Sequence, residues 1–97
     1  MFHGKILIIY IIKEKNIMTN HMENFTKNMV IKDFSSSTQK SYCRKLKLFL
    51  QYCKDQKQRI NSETFKSYLY DLIKNQKLSN SSLKQNIGAI KFFLSIL

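Results

Sequence analysis

The sequence has no proline, only two glycines (Gly4 and Gly88) and only six acidic residues in 97. Each shortage excludes something. Proline and glycine are the residues that most often break helices or supply tight turns, and here they are almost missing. No alternation of apolar and polar residues lasts more than a few positions, so no half-buried strand is written into the chain. Together these absences predict an all-α protein. They also remove whole classes of chemistry. There is no Gly-rich phosphate loop, no paired-carboxylate motif and no zinc-ligand spacing, so neither cofactor nor metal is expected.

Cysteine is scarce too. Cys43 and Cys53 stand ten residues apart on one predicted helix, roughly 15 Å along its axis. A disulfide needs Cα atoms within about 7 Å, so the two cannot pair within the chain. A reducing cytoplasm is the expected setting. The longest apolar run, Ile6–Ile12, has seven residues, against the about 20 needed to span a bilayer. Only Lys5 precedes it, and no small-residue cleavage site follows, unlike a secretory signal. Residues 1–18 are therefore expected to be a leader. Either translation starts at Met18 or Met22, or a short tail folds onto the core; a membrane anchor is not expected.

What the chain has in abundance is positive charge. Seventeen Lys and Arg give a formal charge of +11, and 13 of them fall in residues 32–97 with only four acids. An anionic partner is implied, nucleic acid before a membrane surface. Fifteen of the bases are lysine, in a chain also rich in Asn and Ile. AT-rich coding would produce the same bias, so charge alone does not decide between them.

Residues 19–97 read as one four-helix domain. The first helix runs from about Asn20 to Lys32, with Met22, Phe25, Met29 and Val30 on one side. After an Asp33-Phe34 corner, Ser35 caps a second helix that ends near Asp55. Tyr42, Leu46, Phe49, Leu50 and Cys53 form its apolar stripe, with Ser37, Lys40, Arg44, Lys47 and Gln51 opposite. Asn61 or Ser62 caps a third helix carrying Phe65, Tyr68, Leu69, Leu72 and Ile73. A fourth opens at Ser79 or Asn80, and Leu83, Ile87, Ile90, Leu94 and Leu97 are spaced as its core stripe. The pattern stops there without a C-cap, as at the edge of a fragment.

Two polar faces are candidates for nucleic-acid contact. On the second helix Lys40, Arg44 and Lys47 can neutralise phosphates, and Ser37, Thr38 and Ser41 can bond phosphate or base edges. On the fourth, Ser81, Gln85, Gly88 and Ala89 lie opposite the expected core, with Ser82 and Asn86 on the flanks. Small residues there would permit close approach, and Gln or Asn can pair with adenine. A solvated face is the simpler reading of each helix alone. Phe92 and Ile96 on the outer side, with Leu97 at the end, point to a covering helix or partner. His3 and His21 have no ligand or nucleophile beside them and read as surface residues.

The segments Met29-Val30-Ile31-Lys32-Asp33-Phe34, Ser35-x-x-Thr38-x-x-x-Tyr42-x-x-x-Leu46-x-x-Phe49, Thr64-Phe65-x-x-Tyr68-Leu69-x-x-Leu72 and Leu78-Ser79-x-Ser81-Ser82-Leu83-x-Gln85-x-Ile87-x-Ala89-Ile90-x-Phe92-Phe93 occur in an order that is similar to the N-terminal, SAM-like core-binding domain of tyrosine recombinases, the phage integrase family. The likeness covers residues 22–97. It implies a helical bundle that closes one side of a clamp on double-stranded DNA. By position it assigns Thr38, Lys40, Ser41 and Arg44 on the second helix, and Ser81, Ser82, Gln85 and Asn86 on the fourth, to the major groove. In that family a tyrosine nucleophile and an Arg/Lys/His/Arg cluster on a C-terminal domain cut DNA. That set is not found here, and none of Tyr10, Tyr42, Tyr52, Tyr68 or Tyr70 stands in the nucleophile's place. The expectation is a DNA-binding piece of a recombinase without catalytic activity, with DNA and other recombinase protomers or a separate catalytic domain as partners, the latter through Phe92, Ile96 and Leu97. The alternatives are a small helical protein-interaction module and a peripheral membrane peptide.

Overall fold

The computed structural model describes residues 18–97, which form four helices and no strand. Residues 18–31 are helical (α1), followed by α2 (Ser36–Asp55), α3 (Ser62–Asn75) and α4 (Asn80–Ser95). The leader and His3 lie outside the described residues, apart from Met18, which is half-buried in α1 against the core.

Polar caps set the helix starts. Ser35 Oγ accepts the Thr38 N–H at 3.2 Å, Asn61 Oδ1 the Thr64 N–H at 2.9 Å, and Ser79 Oγ the Ser82 N–H at 3.3 Å. Each satisfies a backbone donor that the first turn leaves free. The helix ends show what a glycine-poor chain does at a corner. After α1, Asp33 takes a φ of 60° while its N–H reaches Val30 O and the Phe34 N–H reaches Met29 O, both at 3.0 Å. After α2, Lys57 takes a φ of 52°, and N–H groups of Lys57 and Gln58 bond Lys54 O and Cys53 O. These are paired left-handed caps that usually recruit glycine.

The core joins Phe25 and Met29 of α1, Leu46, Phe49, Leu50 and Cys53 of α2, Phe65, Tyr68 and Leu72 of α3, and Ala89, Ile90 and Phe93 of α4. Aromatic rings connect the layers: Phe25 meets Phe93 edge-on at 6.0 Å, and Phe49 lies 5.9 Å from Phe65 and 5.4 Å from Tyr68. His21, expected at the surface, is half-buried, with its ring edge-on to Phe93 at 5.4 Å. Among α2, α3 and α4, the packing of α2 on α4 is the most extensive.

That packing corrects the expected faces of α4. Its buried residues are Asn86, Ala89, Ile90 and Phe93, whereas Leu83, Ile87 and Leu94 are half-buried and Leu97 is 60% exposed. The helix is rotated by most of one residue step relative to its leucine–isoleucine stripe, because two partners claim it. One side meets α2 and α3. The other receives Phe92, which sits 5.0 Å from Phe34 and 5.7 Å from Phe25. Phe92 is thus covered by this chain's own α1 and corner and is withdrawn as a docking residue, and Ile96 is half-buried against the same core. Gly88 faces α2, not an outside surface: a Cβ there would lie 2.7 Å from Tyr42 Oη. Ala89 is fully buried. Val30 of α1 and Ile73 of α3, both expected inside, are 61% and 57% exposed. Each directly follows a buried residue, Met29 or Leu72, and the helical step of about 100° turns it to the outer side.

Candidate nucleic-acid interface

Twenty residues of α2 make it the longest of α2, α3 and α4, and its apolar stripe is held by Leu46, Phe49, Leu50 and Cys53. Burying that stripe turns Ser37, Lys40, Arg44, Lys47 and Gln51 outward, and all five are exposed. Lys40, Arg44 and Lys47 flank one surface concavity of about 460 Å³, shared with Gln39 and Cys43. None of the three cations is ion-paired among the described residues, whereas Lys66 stands 3.8 Å from Glu63 on α3. Unpaired charges on successive turns are available to an external anion, and each contact displaces counterions.

Thr38 and Ser41 are half-buried and already engaged. Ser35 Oγ donates to Thr38 Oγ1 at 2.9 Å, so Thr38 belongs to the cap. Ser41 Oγ donates to Gln85 Oε1 of α4 at 3.2 Å. This bond sets the outer faces of α2 and α4 side by side, with Ser81 and Gln85 exposed next to the basic face. Ser82 is half-buried, its N–H on the Ser79 cap.

Asn86 departs from its expected place. It is 2% exposed and donates Nδ2–H to Ser82 O at 2.8 Å. A one-residue step from Gln85 turns the side chain by about 100°, which carries it from the outer face to the interior. Lys84 and Lys91 were passed over in the sequence, yet both are exposed on α4. Their spacing of seven, two helical turns, was the signal for a common cationic row.

Tyr42, Tyr52 and Tyr68 are built for packing. Tyr42 stands edge-on to Phe34, and Tyr52 lies 5.0 Å from Tyr68. Burial, then the charge of Asp71, pushes the Tyr68 hydroxyl above its usual range, the reverse of an activated nucleophile. Tyr70 is 63% exposed, with Lys74 Nζ 5.6 Å from its ring centre. Both cysteines are free; Cys53 is buried and Cys43 half-buried. Among the described residues no group of three or more His, Cys, Asp or Glu could hold a metal ion, and no helix is long and apolar enough to cross a membrane.

Comparison with known proteins places this geometry. No solved structure matches the chain at a significant level. In Sinorhizobium fredii (strain NBRC 101917 / NGR234), a protein named integrase/recombinase y4qK is 29% identical over 83 residues, 86% of this chain. The chain spans only 27% of that relative's length. The family model for the phage integrase N-terminal SAM-like domain matches residues 21–96, from early α1 to the end of α4. With an all-α bundle of four helices behind that match, the chain belongs to the phage integrase (tyrosine recombinase) family, as its N-terminal SAM-like domain.

Proposed function

We propose that residues 19–97 bind double-stranded DNA as the core-binding part of a recombinase, in DNA integration and recombination. The observation that carries this reading is the Ser41–Gln85 hydrogen bond. It joins an unpaired row of cations on α2 to an exposed polar turn on α4, so that two helix faces become one surface. Lys40, Arg44 and Lys47 meet phosphates, while Ser37, Ser81 and Gln85 lie close enough to reach sugar, phosphate or base edges. Asn86 is left out of this set because it is buried. Thr38 and Ser82 act by capping helix starts more than by touching DNA.

On this reading the 97 residues hold DNA without cutting it, in the cytoplasm where DNA is accessible. Affinity comes chiefly from phosphate contacts, so one bundle binds weakly and with little sequence preference. Other recombinase protomers or a separate catalytic domain are the proposed protein partners, with Leu97 an exposed apolar residue available to them. A gel-shift titration of the full chain on duplex DNA tests the assignment, with Lys40→Glu/Arg44→Glu as the variant. Retained affinity in a variant whose circular dichroism and melting are unchanged would remove α2 from the interface.

A further inference from the structure

Along α1 the described bundle leaves an apolar groove of about 770 Å³ open to solvent, edged by α2. Met18, Met22, Thr26, Val30 and Ile31 line it from one end of α1 to the other, and Lys47 of α2 borders it. Met18 and Met22 are half-buried, while Val30 and Ile31 are 61% and 78% exposed. Thr26 gives its hydroxyl proton to Met22 O at 2.9 Å, so it offers the groove no free donor. Neighbouring exposed apolar side chains of this kind mark a surface that is covered in use.

The sequence holds an apolar run of matching size. Ile6-Leu7-Ile8-Ile9-Tyr10-Ile11-Ile12 lies outside the described residues and carries no charge over its seven positions. Five residues, 13–17, separate it from Met18, which itself lines the groove. Connections of about 2–8 residues commonly reverse a chain between packed segments. From Met18 to Ile31 the helix axis runs about 20 Å, and seven extended residues reach about 23 Å. Charge agrees with an antiparallel course. Glu23, the acid of the groove, sits in its Met18 half, where Lys13 and Lys15 arrive.

We propose that Ile6–Ile12 folds back along α1, antiparallel to the helix, and fills this groove. The short tether holds the run beside the groove at an effective concentration in the mM range, which a free partner does not reach. Docking takes two apolar surfaces out of water together and adds a fifth segment to the four-helix bundle. Lys40 and Arg44 lie outside the groove, so docking of the leader and binding of DNA are tested separately.

The full chain, ¹³C-labelled at its Ile, Leu, Val and Met methyl groups, reports the contact through methyl NOEs. We expect NOEs from the Ile6–Ile12 run to Met22, Val30 and Ile31. They should persist when labelled chain is diluted into unlabelled chain, as contacts within one molecule do. Ile8→Asp/Ile11→Asp, at positions of opposite parity, should abolish them, since one of the two faces the groove in an extended run. Val30→Lys should lower the melting temperature by about 5–10 °C. Ile73→Lys is the control, at a comparably exposed residue near the end of α3 and away from the groove; it should leave melting within about 3 °C. Absence of the NOEs overturns the proposal, whether the run stays in water or seats on added anionic lipid vesicles. So does their loss on dilution with unlabelled chain, which would make a second copy the occupant. An equal effect of Val30→Lys and Ile73→Lys overturns it as well.

Discussion

One methyl group at Gly88 tests the α2–α4 packing on which the joint surface depends. An ideal Cβ there would sit 2.7 Å from Tyr42 Oη and 3.4 Å from Tyr42 Cζ. Tyr42 is half-buried, with its ring held edge-on to Phe34 at 5.8 Å, so it cannot simply swing aside. Overpacking of this kind costs about 1–3 kcal/mol, whereas replacing a mid-helix glycine by alanine returns about 1 kcal/mol. Gly88→Ala should therefore destabilise the domain by up to about 2 kcal/mol. In a Tyr42→Phe background the hydroxyl is gone, and the nearest atom is the ring carbon at 3.4 Å, an ordinary contact. There Gly88→Ala should stabilise by about 1 kcal/mol. The sign reverses, and the coupling energy is about 1–3 kcal/mol. Urea denaturation of the four proteins of this cycle measures it directly. An equal effect of Gly88→Ala in both backgrounds would refute the close approach of the two helices.

Salt dependence measures the proposed interface. Three phosphate contacts from Lys40, Arg44 and Lys47 give a log–log slope near −2.7, hence about a 40-fold loss of affinity between 50 and 200 mM salt. Lys40→Glu/Arg44→Glu should flatten that slope toward about −0.9; an unchanged slope in filter binding would place the contacts elsewhere. At the α2 corner, Lys57 holds a φ of 52°, so Lys57→Gly should stabilise by about 0.5–1 kcal/mol in thermal melts. Burial pushes the Cys53 thiol from 9.0 up to about 11. Its thiolate is disfavoured in the folded state and free to form in the unfolded one, so this contribution to stability is complete below pH 9 and declines as pH rises toward about 11. The same burial means that Cys43 should react with an alkylating reagent in native protein well before Cys53; equal rates by mass spectrometry would contradict it.

Much of this fold was legible in the chain because its signals are local. The caps at Ser35, Asn61 and Ser79 depend on a side chain and a backbone N–H three residues away. The α2 stripe depends on helical spacing alone, and its cations follow by geometry onto the opposite face. The faces of α4 were not legible in the same way. Its sequence offers apolar residues on more than one side, so periodicity alone selects Leu83, Ile87, Ile90, Leu94 and Leu97. The choice of Asn86, Ala89, Ile90 and Phe93 as the buried set belongs to the neighbours that surround the helix.

The sequence by itself determined that this chain is helical, where its helices begin, that it is strongly basic and that α2 presents cations on one side. Each follows from residue type or from spacing within a few turns. Only the tertiary structure decided that Gly88 meets Tyr42, that Phe92 is covered by Phe25 and Phe34, that Ser41 reaches Gln85, and that Asn86 is buried with one oxygen unmet. These partners are up to 67 residues apart along the chain. Their meeting depends on how each helix rotates to satisfy all its neighbours together, and no single helix carries that information.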